Sequence, residues 1–151
     1  MTNSKIIWLT GQPGSGKTTL ANAILEEVKN KNGALNTMIV DGDDLRSLTV
    51  NKDYSKAGRE KNITTAQQIA HFLFNKNFFV IVSLVAPYKN LREKFKGMTS
   101  VLEVYLHTTE IRGRENFFAD DYEIPTENFL NLDTTNKNIK ECVDEILNVY
   151  R

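Results

Sequence analysis

The chain has 151 residues, 40 % hydrophobic and 25 % charged, which suits a folded globular protein of one domain's size. Lys plus Arg and Asp plus Glu number 19 each, so there is no bulk positive charge to hold a nucleic acid, though a few placed cations could still meet a small anion. The one cysteine, Cys142, excludes an internal disulfide and fits a reducing compartment, and no apolar run approaches the ~18 residues that span a membrane.

The N-terminus runs straight into a first strand at Lys5 to Thr10, leaving no room for a signal peptide, so the expected location is the cytoplasm. Gly11-Gln12-Pro13-Gly14-Ser15-Gly16-Lys17-Thr18 follows, a complete G-x-x-x-x-G-K-[ST] phosphate loop. Average composition yields that match by accident in about one chain of this length in two hundred. Behind it Leu20, Ile24 and Val28 fall at i, i+4 and i+8, one apolar face of a helix that Asn32-Gly33 closes. Strand, glycine loop and helix are the context the motif requires. Gly11, Gly14, Ser15, Gly16 and Thr19 are expected around a nucleotide's phosphates, with Lys17 on the β- and γ-phosphates and the Thr18 hydroxyl on Mg²⁺.

A second strand at Thr37 to Val40 ends in Asp41-Gly42-Asp43-Asp44. Phosphoryl transfer needs a group to orient or deprotonate the acceptor hydroxyl, and acids to hold Mg²⁺ through its water shell; Asp41 and Asp43 are the candidates. The competing reading is an Asp-Gly turn with a helix N-cap, a role that suits Asp44 before the other two. Leu45, Arg46 and Leu48 begin a short helical piece. Val50 to Gly58 is polar and aperiodic and reads as a mobile loop. A long helix is expected from Arg59 to Asn75, on Ile63, Ala66, Ala70 and Leu73.

Phe78 to Val85 is a continuous apolar run, as an interior parallel strand requires, and Pro87 stops it. A helix is expected from Tyr88 to Lys96, ending near Gly97, then a strand at Val101 to Leu106. Thr109 to Asn116 reads as helical, and Phe117 to Thr126 as a loop. A short strand at Phe129 to Leu132 and an amphipathic helix from Ile139 to Tyr150 close the chain. Five strands alternating with helices predict an α/β fold, an open parallel sheet with helices on both faces, in one domain over residues 1–151. Ligands of such sheets bind beyond the carboxyl ends of the strands, where the phosphate loop, Asp41 to Arg46 and Ala86-Pro87-Tyr88 all fall.

Arg46, Arg59 and Arg92 lie near that edge as candidate anion clamps, Arg92 on a helix exterior by its spacing. Arg112 and Arg114 follow the fourth strand, where small kinases carry a lid. Phe117 and Phe118 suit either stacking on a base or core burial. His71 and His107 have no partner at ligand spacing and read as structural, and Cys142 reads as an inert core thiol.

Together the motifs resemble the adenylylsulfate kinase (APS kinase) family of P-loop kinases. The matching pieces are G-Q-P-G-S-G-K-T-T-L-A from Gly11, D-G-D-D-L-R from Asp41 and G-R-E-K-N-I from Gly58. Ala86-Pro87-Tyr88 with Arg92, Glu110-Ile111-Arg112, Asp121 to Pro125 and Leu132-Asp133-Thr134 follow in the family's order. The resemblance implies an ATP- and Mg²⁺-dependent kinase acting on the 3′-hydroxyl of a nucleotide-like acceptor, adenylylsulfate. It implies Asp41 at the acceptor hydroxyl, Arg46, Arg59, Asn62, Pro87 and Tyr88 around the acceptor, and Arg112 and Thr134 near the base of ATP.

Three features depart from the family. The lid motif of the form K-G-L-Y-x-K-A-R is missing between Arg112 and Pro125; Ala86 stands where a serine is usual; and Thr64 and Thr65 replace arginines. A related kinase acting on another nucleotide-linked acceptor, such as a CDP-phosphoramidate used in capsule decoration, is therefore the first alternative. A non-catalytic ATP-binding module is the second, against which stand the intact Asp41 and Asp43. The assembly state is left open, a homodimer included.

Overall fold

The computed structural model describes residues 4–33 and 36–151; residues 1–3, on which the expectation about a signal peptide rests, lie outside the described residues. Five strands form one parallel sheet: β1 (Ile6–Thr10), β2 (Thr37–Asp41), β3 (Phe79–Ser83), β4 (Val101–His107) and β5 (Phe129–Asp133), in the order β2-β3-β1-β4-β5. The helices are α1 (Lys17–Asn32), α2 (Gly42–Thr49), α3 (Lys56–Asn75), α4 (Lys89–Met98) and α5 (Ile139–Tyr150).

The central strand shows why its sequence carries no polar alternation. Ile7 and Leu9 of β1 pack with Ile24 of α1 and Ile146 of α5 on one face. Ile6 and Trp8 pack with Ile63 of α3 and Phe95 of α4 on the other. Every β1 side chain is buried, so both faces must be apolar. Each such fully buried isoleucine contributes about 1.5–3 kcal/mol. The chain leaves β1 for β2, returns through β3, then crosses to β4, so the order switches at β1 and opens a crevice above its carboxyl end.

Several stretches differ from the sequence reading, four of them for a local reason that the contacts show. Helix α3 starts at Lys56, because Ser55 caps it, accepting from the Gly58 amide at 3.3 Å. A Cβ on Gly58 would lie 2.0 Å from the Asp53 carbonyl oxygen, so only glycine admits the preceding turn. Helix α4 runs through Gly97 to Met98 and closes at Thr99, whose amide donates to Phe95. The stretch from Thr109 to Asn116 is no helix, only a 3-10 turn at Glu115–Phe117. There the Glu115 carboxylate takes the amides of Arg112 and Gly113, and Thr108 takes that of Glu110, which removes the donors a helix would use. Finally, the aperiodic residues after Val50 are tied to α2 and α3. Arg46 donates to the carbonyls of Asn51 and Asp53, and Asn51 donates to Gly58.

Cys142 is buried in the α5 core. His71 meets the Phe95 ring edge-on, and His107 stacks on Tyr105 beside Asn131.

Candidate functional site

Above β1 lies a cleft of about 710 Å³, walled by the phosphate loop, the start of α2, the exit of β3 and the segment after β4. The loop begins at Gly11, where a Cβ would come within 2.4 Å of the Leu106 carbonyl oxygen of β4. Gly16 occupies the N-cap of α1 at φ 102°, with no side chain capping the helix and no acid in its first turn. The positive end of α1 therefore faces the cleft without a cap or an acid of its own.

Lys17 is buried, and its Nζ donates to the carbonyls of Gly11 and Gln12 at 2.9 and 3.0 Å. Burial pulls its pKa down to about 8, against the opposing pull of Asp43 and Asp41. An ammonium held by two carbonyls is poised to exchange them for phosphate oxygens. Thr18 next to it donates to Asp41 Oδ2 at 3.1 Å.

Asp41, and not Asp44, caps α2. Its Oδ1 accepts the amides of Asp43 and Asp44, because α2 follows β2 without a linker and the last strand residue becomes the cap. Asp43 and Asp44 are both exposed, and of the two only Asp43 lines the cleft.

Arg46, Arg59, Asn62 and Pro87 all line the far wall. The Arg46 guanidinium lies 3.9 Å over the Tyr54 ring, and Arg59 pairs with Asp121 at 3.5 Å. Asn62 donates to the Gly42 carbonyl at 3.3 Å, and its buried Oδ1 has no partner. Tyr88 is not on this wall. Its ring is buried in the cluster that also holds Ala70 and Phe95, its hydroxyl lies near Asp121 and Arg59, and burial together with the Asp121 carboxylate raises its pKa. Arg92 is not on the exterior of its helix: it is buried and ion-paired with Glu103 at 2.9 Å.

The segment between β4 and β5 passes over the cleft as a strap. Arg112 donates to the Gly14 carbonyl at 3.1 Å and to Thr134 at 3.2 Å, with Glu110 paired to it at 2.7 Å. Thr134 in turn contacts the Ser15 carbonyl. Arg114, Phe117 and Phe118 line the cleft; both rings remain exposed, so neither serves the core.

A family model described as adenylylsulphate kinase matches residues 3–116. The chain belongs to the adenylylsulfate kinase family. An adenylyl-sulfate kinase of Buchnera aphidicola is 38 % identical over 109 residues, 70 % of this chain and 52 % of that protein. This chain therefore spans about half the length of that relative. One of Prochlorococcus marinus is 32 % identical over 166 residues, 95 % of this chain and 82 % of that protein. The structure of the Mycobacterium tuberculosis APS kinase in complex with AMPPNP and APS superimposes with a TM-score of 0.81 at 24 % identity, over 97 % of this chain and 96 % of that one. That likeness speaks for the fold.

In this adenylylsulfate kinase family member the model match stops at Asn116, inside the strap. The strap's anchors were invisible to sequence reasoning. Gln12, an unspecified position of the phosphate loop, exchanges two hydrogen bonds with the Ala119 backbone at 2.8 and 2.9 Å. Tyr122 meets the Thr10 hydroxyl at 2.8 Å and stacks on Tyr105. No spacing or composition signal marks either residue; only the D-Y-E-I-P piece of the resemblance touches this region.

Proposed function

We propose that this chain is an ATP-dependent phosphotransferase that moves the γ-phosphate of ATP to the 3′-hydroxyl of adenylylsulfate, with residues 1–151 acting as one kinase unit. The observation that carries this reading is the bond from Thr18 to Asp41, which joins the phosphate loop to an acid that faces the same cleft. The triphosphate lies along the amides of Gly14 to Thr19, with Lys17 against its end. Arg112 and Thr134 border the nucleotide's base end. Arg46, Arg59 and Asn62 receive the acceptor.

The acceptor oxygen attacks the γ-phosphorus as the bond from that phosphorus to the β–γ bridging oxygen breaks and ADP departs. Asp41 or Asp43 orients the hydroxyl and takes its proton. Most of the acceleration is positional and electrostatic.

Among the described residues no three His, Cys, Asp or Glu side chains cluster as a metal cage. The Thr18 hydroxyl as protein ligand, with Asp41 beside it, suits Mg²⁺, which keeps several waters and leans on substrate phosphates. When bound, the ion neutralises charge on the phosphoryl oxygens.

A different nucleotide-linked acceptor is favoured by one observation: Asp121 of the strap pairs with Arg59 and so takes up a cation on the acceptor wall. One assay decides between them. ATP consumption is followed with adenylylsulfate and with a panel of nucleoside diphosphate derivatives, CDP-linked ones included. Selective turnover of adenylylsulfate establishes the first reading, and selective turnover of another member replaces it.

A further inference from the structure

Arg92 of α4 is 3 % exposed and does not border the cleft, yet its guanidinium joins three parts of the molecule. Its Nε donates to Glu103 Oε2 of β4 at 2.9 Å, while the other oxygen of that carboxylate takes Lys96 at 2.6 Å. Its other two nitrogens go to backbone: Nη1 to the Ala86 carbonyl at 2.6 Å, and Nη2 to the Glu123 carbonyl. Ala86 belongs to the cleft wall at the exit of β3, where it sits at φ 45°, a left-handed conformation that alanine keeps only under constraint. Glu123 belongs to the strap.

The same two segments meet repeatedly around this point. The Glu123 amide donates to the Pro87 carbonyl at 2.8 Å, and its carboxylate accepts the Lys89 amide at 2.8 Å. Thr10 donates to the Val85 carbonyl and touches the Tyr122 hydroxyl. The Arg92 guanidinium also lies 5.5 Å over the Tyr122 ring. The ion pair with Glu103 uses one arm of the fork. Committing the other two to carbonyls of different segments is geometry that a lysine's compact charge cannot reproduce.

We propose that Arg92 is a positioning residue for the acceptor: it locks the 84–87 wall and the root of the strap into one register, and thereby sets where the acceptor lies against the donor phosphate. The use in transfer rests on the kinase reading above; the clamp itself does not. Misplacing a reacting group by about 1 Å costs on the order of a hundredfold in rate, so a small release of this wall is visible in kinetics.

The test compares Arg92→Lys with Ile146→Ala, a core truncation on the opposite face of the sheet that serves as the stability control. Acceptor kcat/KM, KM for ATP and hydrogen–deuterium exchange of residues 84–89 and 119–124 are measured on each, with the acceptor found by the panel. Arg92→Lys is expected to lower acceptor kcat/KM by about tenfold or more, leave KM for ATP within about twofold, and speed exchange in both segments. Ile146→Ala is expected to lower Tm without that split. Equal acceptor kcat/KM in Arg92→Lys and the parent, or the same proportional loss in both variants, overturns the proposal.

If Arg92→Lys does not fold, Tyr122→Phe, which removes only the hydroxyl contact to Thr10, must show the same split in milder form; parental kinetics in it overturn the proposal. If the parent transfers phosphate to no acceptor, the kinase reading falls by itself. The exchange arm then decides the clamp, and unchanged exchange in Arg92→Lys refutes it.

Discussion

Thr18 on α1 donates its hydroxyl to one oxygen of Asp41 at the end of β2, while the other oxygen of that carboxylate caps α2. One side chain thus holds the first turn of a helix and faces the cleft beside the phosphate loop. The two roles are separable because asparagine caps a helix about as well as aspartate but cannot accept a proton.

Asp41→Asn should therefore keep stability within about 0.5 kcal/mol of the parent, read by urea unfolding, while turnover falls by about a hundredfold or more. Asp41→Ala should lose the cap too, about 1 kcal/mol. Near-parental turnover in Asp41→Asn would move the proton-accepting role to Asp43.

Lys17 should make nucleotide binding pH-dependent. Its pKa of about 8 in the free protein lies below the ordinary 10.5 because burial disfavours the ammonium. A triphosphate favours that ammonium, so affinity should fall as pH rises through about 8, and binding near pH 9 should take up protons. Calorimetry in buffers of different ionisation enthalpy measures this uptake, and Lys17→Met should abolish it. Stability has its own sign. Between about 8 and 10.5 the unfolded chain holds a proton that the folded chain has lost, so this group's destabilising effect is full below 8 and fades as pH rises across that window. Lys17→Ala should lower turnover by orders of magnitude while the fold survives.

Gly11→Ala should act through contact. The added methyl would sit 2.4 Å from the Leu106 carbonyl oxygen, which is backbone and cannot step aside. A loss of about 1–3 kcal/mol on denaturation is expected. Nucleotide affinity should fall with it, because the Gly11 carbonyl is a partner of Lys17.

Arg112→Ala should separate strap from chemistry. The side chain bridges the Gly14 carbonyl and Thr134 and touches no group assigned to the reacting end. KM for ATP should rise about tenfold with kcat within about twofold, the pattern of an interaction equal in ground and transition states. A fall in kcat at unchanged KM would assign Arg112 to the transferring phosphate instead.

The strand, phosphate loop and helix that open the chain could be read from sequence alone, because they are contiguous. Glycine conformations, amides at a helix start and a lysine one residue on are local properties, and β1, the loop and α1 follow each other without a break. The parallel sheet was legible for a related reason: strands buried on both faces must be apolar throughout. What needed the tertiary structure was every role that depends on two distant segments meeting. Arg92 stands beside Leu91 on a helix whose exposed side its spacing predicts it to face, and only the approach of the Glu103 carboxylate and of the Ala86 and Glu123 carbonyls makes its burial tolerable. Tyr88 follows the matching Pro87 yet turns into the core, and Asp41 becomes a cap because α2 begins where β2 stops. Pairing across a fold is settled by strand order and packing, and neither leaves a spacing in the chain.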